Sequence, residues 1–464
     1  MNDTITRRDF TKTGAATALG LLGTAHGADA AASEWRVGLA RVCITPTEPI
    51  WLHGYATKVR YRPFDGKLSD LHAKAMALED PNGNRAVLVT ADLCILRRKE
   101  SDEVFSDLMQ ATGLERRQIL INFSHTHSGP IIGTSDLSRF PMPEADQKRT
   151  IRYTEALKRK LVKVAADALA DLKPARLSYG VGKADFVVNR RLYDENGNYR
   201  GMGPNPDKYV DRTVPVLRVD GPDGTLRALL FGCACHAVTL TDKNLKLCGD
   251  YPSFAQQDVE DRHRGCLAMF ATGFAGDANT HPRGTVAMAR KQGRSLADQV
   301  CRVAKGKLRP VRGPLRCEHA TVDLPLQQPS RKQLEQWAKG PSYMAHNAKP
   351  LLDLLNRKKP LPTRCNIPIA VWQFGQDLTL VALSGEVVSD FVPLLRKAIG
   401  PNRLWLAGYT NRVFGYLPSA RIVREGGYEA RGLITDVGFF SEKAEPRVVA
   451  TVKQLAHKAG RRLP

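Results

Sequence analysis

Apolar positions along the chain alternate between short unbroken runs and helical spacing. Residues 86–93 form a strand-length apolar run, residues 101–112 space their apolar positions as a helix does, and Ile119–Phe123 is apolar enough for a second strand. Leu157, Leu161, Val164, Ala168, Leu169 and Leu172 fall on one helical face. Further strand-like runs lie at 176–182, 214–219, 228–235, 267–272, 367–374, 378–383 and 404–407. The alternation predicts an α/β fold. Between two of these runs stands Asp220-Gly221-Pro222-Asp223-Gly224, a turn-rich link that predicts a hairpin and therefore a mixed β-sheet flanked by helices. A helix is expected at 447–459, with little more than one strand between it and residue 428. Residues 327–362 turn basic and helical, punctuated by Pro329, Pro341, Pro350, Pro360 and Pro362. They read as a peripheral insertion, the other reading being a lid over a site. There is no internal repeat, and residues 32–464 are expected to form a single large domain.

Composition narrows the class. With 42 % hydrophobic and 25 % charged residues the chain is globular in type and far from a disordered one. No apolar run beyond residue 32 approaches the roughly 20 residues that span a bilayer. Lysine and arginine number 69 against 47 acidic residues, a net +22. Such an excess suits either an anionic partner or a basic solvated surface. It is spread along the chain, without an arginine-rich tail or an aromatic-interleaved basic stripe, so nucleic acid is not among the expected partners, whereas peripheral contact with an anionic membrane surface is.

The N-terminus reads Thr6-Arg7-Arg8-Asp9-Phe10-Thr11-Lys12, then a weakly apolar stretch over 15–23, then Ala28-Asp29-Ala30. That order is a twin-arginine signal peptide over residues 1–31, and it predicts a periplasmic or secreted protein. The nine cysteines form no Cys-x-x-Cys pair, which gives a zinc ribbon no support. Most read as buried small hydrophobes, with one or two disulfides open in an oxidising compartment.

Sites in α/β proteins lie beyond strand ends. Directly after Ile119–Phe123 comes Ser124-His125-Thr126-His127-Ser128-Gly129-Pro130. In extended backbone, residues two apart point the same way, so His125 and His127 could meet one metal, or a metal and its substrate. His236 follows the 228–235 run, although a histidine there also suits a satisfied core position. Glu386 closes the 378–383 run, where a carboxylate could equally face a helix dipole. Tyr416 offers a further oxygen.

These segments, together with Leu52-His53-Gly54-Tyr55-Ala56, Gly249-Asp250-Tyr251-Pro252, Ser384-Gly385-Glu386 and Tyr428-Glu429-Ala430, resemble in content and order the catalytic domain of neutral, non-lysosomal ceramidases. The resemblance covers roughly 35–440. It implies one zinc ion (Zn2+) held by His125, His236, Glu386 and Tyr416, with His127 near the reacting amide and Asn189-Arg190 and Tyr428 facing the substrate carbonyl. Two nitrogen and two oxygen donors suit zinc. The implied activity is hydrolysis of the N-acyl bond of a ceramide-like lipid or related N-acyl compound.

Two departures accompany the resemblance. The family's proposed catalytic serine falls on Asn279 in Gly276-Asp277-Ala278-Asn279-Thr280, and an amide cannot be a nucleophile. Thr280 stands one residue off and is expected to point elsewhere. The family's further immunoglobulin-like domain is not expected in a chain ending at Pro464. The competing readings are therefore a zinc amidase for a non-lipid substrate such as an acylated amino sugar, and a ligand-binding homologue without turnover.

Overall fold

The computed structural model describes residues 35–134, 137 and 141–464, so the signal segment expected at 1–31 lies outside them. Its larger sheet has nine strands. Eight run in the order Leu267–Thr272, Leu226–Cys233, Thr213–Asp220, Lys173–Lys183, Trp35–Cys43, His72–Glu79, Arg85–Ala91, Ile119–Phe123, and Arg309–Val311 pairs with Lys173–Lys183. Only the two end pairs are parallel, so the sheet is mixed as expected. The predicted hairpin is present, Val219 pairing with Ala228 across a turn whose Gly224 has φ 84°.

Side chains alternate across each strand, and here both faces are covered. Leu88, Leu120, Leu177, Leu230 and Met269 face inward onto Trp372, Leu380 and Trp405 of a second sheet. That sheet runs Leu315–Pro325, Arg364–Phe374, Leu378–Leu383, Leu404–Ala407. The alternate residues Val87, Val89, Ile119 and Ile121 lie beneath helices Arg98–Thr112 and Glu144–Ala170, where Leu157, Leu161, Val164 and Ala168 are buried. Helices Asp250–Arg262 and Val286–Lys305 cover the other half, and Phe391–Ile399 with Ala444–Lys458 covers the second sheet. Burial on both faces is why so many strands read as unbroken apolar runs.

Several boundaries differ from expectation. The 86–93 run leaves the sheet after Ala91, and beyond residue 428 the described residues hold no strand, only single bridges at Leu433 and Phe440. The 327–362 segment forms helices Arg331–Lys339 and Ser342–Asn356, which bury Leu334, Ala348 and Leu351 against Phe439. Tyr343 of the second helix meets the Tyr428 ring at 5.5 Å, so the segment buttresses a predicted site residue. All nine cysteines are free thiols, buried except Cys43 and Cys317, and no disulfide forms. Among the described residues no helix is long and apolar enough to cross a membrane.

The two end strands of the large sheet come together at their C-terminal ends. Buried Asn122 accepts from the Thr272 amide at 2.8 Å and donates to Thr272 O and Gly408 O at 3.3 and 2.7 Å. Residues 408–411 run along the outer edge of Ile119–Phe123, with Phe123 N donating to Tyr409 O and Asn411 N to Ile121 O. The segments that follow Phe123, Thr272 and Ala407 are thereby gathered at one place.

Candidate metal centre and catalytic cavity

His125 lies two residues past Phe123, His236 three past Cys233 and Glu386 three past Leu383. His125 is not in extended backbone. It has φ 57°, held by His125 N to Leu93 O at 2.9 Å and His127 N to Ala237 O at 3.2 Å. Left-handed backbone at a non-glycine residue is costly and collects at functional sites. The backbone is a left-handed turn and not the extended strand expected, yet the two rings still converge, their Nε2 atoms 3.1 Å apart, with His125 buried and His127 lining a cavity.

His125 Nδ1 lies 2.8 Å from Cys94 O, and His236 Nδ1 lies 2.6 Å from Ala275 O. A carbonyl only accepts, so both rings carry a proton on Nδ1 and turn Nε2 toward Glu386. Glu386 Oε2 stands 3.2 Å from His125 Nε2 and 3.0 Å from His236 Nε2. These atoms lie within 4.8 Å of one another, and all three residues are buried. Two imidazole nitrogens and a carboxylate oxygen that converge in this way form a donor set that suits zinc. Tyr416 pairs with Glu386 in a short parallel bridge, and its hydroxyl accepts from Arg190 Nη2 at 3.1 Å.

Local charge acts on the donors in opposite directions: burial lowers the His125 imidazole, but Cys94 and Glu386 outweigh it and raise it well above its usual value. Burial, with the charge of Arg190 added, brings His236 down to about 4 against the opposing pull of the Glu386 carboxylate. Burial and the neighbouring His125 and His236 rings hold His127 well below the usual imidazole value. Burial raises the Glu386 carboxyl, but the two histidines outweigh it and the net shift is strongly downward. Burial and Glu386 push the Tyr416 phenol up.

Above this trio opens a cavity of about 450 Å³ lined by His127, Arg190, Asn279, Tyr416 and Tyr428 among others. His127 Nε2 is 3.1 Å from His125 Nε2, and its ring packs edge-on to Tyr55 at 4.8 Å between centroids. Gly54, with φ 99°, permits that packing: a Cβ there would lie 2.3 Å from His127 Cγ. Arg190 reaches His236 Nε2 and Asn279 Oδ1, each at 3.3 Å. Its Nε donates to Glu429 Oε1 at 2.8 Å, and Glu429 Oε2 takes Arg191 Nη1 at 2.6 Å, with Glu429 fully buried. The Tyr428 ring lies 5.3 Å from that of Tyr416.

Asn279 and Arg190 come together because Ala278–Thr280 pairs antiparallel with Val187–Tyr193, Asn279 opposite Val188. Thr280 also lines the cavity, but its hydroxyl is engaged, accepting from Thr239 at 3.2 Å. Asp277 anchors the turn, its carboxylate accepting from Asn189, Ser389 N and Ser389 Oγ. Gly276 allows the turn to approach the metal trio's backbone, since a Cβ there would sit 2.6 Å from Glu386 O. All eight residues singled out from the sequence thus occupy one cavity and its floor. Glu429, Gly54 and Tyr409 were not singled out. The first two belong to segments whose resemblance was noted, and Tyr409, whose ring lies 4.5 Å from that of His125, carries no sequence signal.

Residues 35–387 match the family described as neutral/alkaline non-lysosomal ceramidase, N-terminal. Neutral ceramidase A of Dictyostelium discoideum is 24 % identical over 205 residues, 43 % of this chain and 28 % of that protein. Neutral ceramidase B of the same organism is 24 % identical over 224 residues, 46 % of this chain and 31 % of that one. The matched stretch thus spans less than a third of either relative. The crystal structure of neutral ceramidase from Pseudomonas aeruginosa superposes with a TM-score of 0.70 at 21 % identity, covering 92 % of this chain and 74 % of that one. A structure described as ceramidase complexed with C2 gives 0.70 at 20 % identity, covering 93 % and 76 %. At that identity the likeness speaks to fold.

Proposed function

This chain belongs to the neutral/alkaline non-lysosomal ceramidase family, and we propose that it is a zinc-dependent hydrolase of the N-acyl bond of a ceramide-like lipid or related N-acyl compound. The observation that carries this reading is the convergence of His125 Nε2, His236 Nε2 and Glu386 Oε2 beneath a cavity that also holds Arg190, Tyr428 and His127. His125, His236, Glu386 and Tyr416 would hold the zinc. When bound, zinc supplies Lewis acidity, polarising a carbonyl oxygen and making water a stronger acid.

In the reaction, water adds to the acyl carbon, the C–N bond breaks, the acyl half leaves as a carboxylic acid and the amine half takes a proton. His127, neutral at pH 7, accepts a proton from the attacking water and returns it to the departing nitrogen. Arg190 and Tyr428 stabilise the negative charge that builds on the carbonyl oxygen. Glu429 fixes Arg190 for that task through the 2.8 Å bond to its Nε. Asn279 can hydrogen-bond the intermediate but holds no nucleophile, so the nucleophile is water.

The test is fatty-acid release from a short-chain ceramide and other N-acyl compounds by the zinc-loaded protein, beside His236→Ala. Release that disappears with the zinc in the variant is expected. Full zinc occupancy in His236→Ala would remove the ligand assignment, and failure of every N-acyl compound would leave a binding protein. The Arg7-Arg8 segment supports a second proposal, export by the twin-arginine route to the periplasm or beyond. Lysines at both positions should retain the protein in the cytoplasm on fractionation, and unchanged export would refute it.

A further inference from the structure

One wall of the cavity carries a guanidinium that forms no ion pair among the described residues. Arg283 lines the cavity, donates from Nη2 to the Tyr55 hydroxyl at 2.8 Å, and leaves Nε buried without a hydrogen-bond partner. Tyr55 passes its own proton to Leu240 O at 3.1 Å, so its oxygen serves Arg283 as an acceptor. It stays a neutral one, since burial pushes the phenol up to about 12. Over the same ring, 5.1 Å from its centroid, lies the guanidinium of Arg60, which is only 1 % exposed. Arg60 donates to the carbonyls of Asp242 and Thr241, and its Nη1 has no partner.

Among the described residues, neither Arg60 nor Arg283 forms an ion pair, and no aspartate or glutamate lines the cavity. Arg190 differs, because Glu429 balances it. Arg60 is buried but does not line the cavity, whereas Arg283 is half-buried and does, so Arg283 is the guanidinium that a ligand in the cavity can reach. An anion in the cavity would supply what is missing.

Position decides which half of a substrate brings that anion. Arg190 and Tyr428 attend the carbonyl oxygen in the reading above, and His127 attends the departing nitrogen. Tyr55 packs on His127 and holds Arg283, so the unbalanced charge lies on the nitrogen side of the scissile bond. We propose that the preferred substrate is an N-acyl compound whose amine half bears an anionic group, as an N-acyl amino acid or N-acyl aminosulfonate does, with Arg283 beside Tyr55 receiving the anion. The proposal rests on the N-acyl hydrolase reading for the orientation of the substrate.

Equilibrium binding to the full chain tests it without turnover. N-lauroylglycine and N-lauroyltaurine would be compared by calorimetry with N-lauroylethanolamine, which has the same acyl chain and no charge. The expected result is tighter binding of one or both anions by about 10- to 100-fold, as a charged hydrogen bond provides, and the better of the two identifies carboxylate or sulfonate. In Arg283→Gln the ratio of anionic to neutral affinity should fall toward one. Arg283→Lys should keep part of it, because the charge remains while the planar fork is lost. Equal binding of charged and neutral compounds, binding of neither, or an unchanged ratio in Arg283→Gln overturns the proposal. Hydrolysis measured in parallel separates the two readings. Turnover of the neutral compound without anion preference sinks the anion site alone, and anion preference without turnover of any compound sinks the hydrolase alone.

Discussion

Replacing Glu429 with glutamine leaves the shape of the site and removes one charge. In the native protein the carboxylate is bonded to Arg190 Nε at 2.8 Å and to Arg191 Nη1 at 2.6 Å, with side-chain exposures of 0 % for Glu429, 6 % for Arg190 and 0 % for Arg191. Arg191 keeps a second carboxylate, Glu425, at 3.0 Å, whereas Arg190 keeps only neutral partners, so the loss falls on Arg190. A unit charge pair about 4 Å apart at an effective dielectric of about 20 is worth about 4 kcal/mol. Removing one partner of a buried pair costs about 3–5 kcal/mol by measurement on other proteins. Both figures predict about 4 kcal/mol, read by equilibrium guanidinium unfolding at pH 7, with a fall in kcat/KM as Arg190 loses its anchor. The pH dependence has a definite sign. Burial raises the Glu429 carboxyl, Arg190 and Arg191 lower it further, and its net pKa lies below the ordinary 4.5. The stabilisation is therefore fully present above about 4.5 and lost as the pH falls through the lowered folded value. The gap between parent and Glu429→Gln should be constant from neutral pH down to about 4.5 and close as the pH falls from there through the lowered folded value. A gap under about 1 kcal/mol at pH 7 with unchanged kcat/KM, or one that widens in acid, would refute the reasoning.

Three further perturbations probe the neighbouring parts. Gly54→Ala puts a methyl 2.3 Å from His127 Cγ at φ 99°. It should lower kcat strongly for about 1–3 kcal/mol of stability, and full activity would show that His127 can shift freely. Asn279→Ser should raise hydrolysis of short-chain ceramide severalfold, and no change would show that this turn does not stand where the family's serine does. Asn122→Ala strips partners from Thr272 N, Thr272 O and Gly408 O. The expected loss is about 3 kcal/mol or more, and a loss under about 1 kcal/mol in denaturant unfolding would mean that water replaces the amide.

The sheet core was legible wherever both faces of a strand are buried, because Ile119–Phe123 and Leu378–Leu383 then read as unbroken apolar runs. Trp35–Cys43 escaped because Arg36 and Arg41 interrupt its pattern at exposed positions, and His72–Glu79 because its alanines and glutamate also suit a helix. Positions just past strand ends revealed His125, His236 and Glu386. The neighbourhood of Arg190 and Asn279 was not readable from spacing, since it depends on the register that sets Asn279 against Val188 across a long stretch of chain. Only the order of the motifs brought those two together. Glu429 lay in plain view within Tyr428-Glu429-Ala430, but its role needs two arginines whose approach only packing decides.

A sheet that ends in bare strands invites pairing with another molecule. At the end of this sheet nearest the cavity, the main-chain groups of Ile121 and Phe123 are taken by residues 409–411, and those of Thr272 by Asn122 and Gly408. Strand addition from a neighbouring chain has no vacant amides or carbonyls to grip there. The covering segment also delivers Tyr409 against His125, so a slip that exposed this edge to aggregation would disturb the metal centre in the same movement. Colloidal behaviour and activity are coupled through four residues of backbone, and variants selected for solubility at this edge should prove difficult to separate from those selected for an intact site.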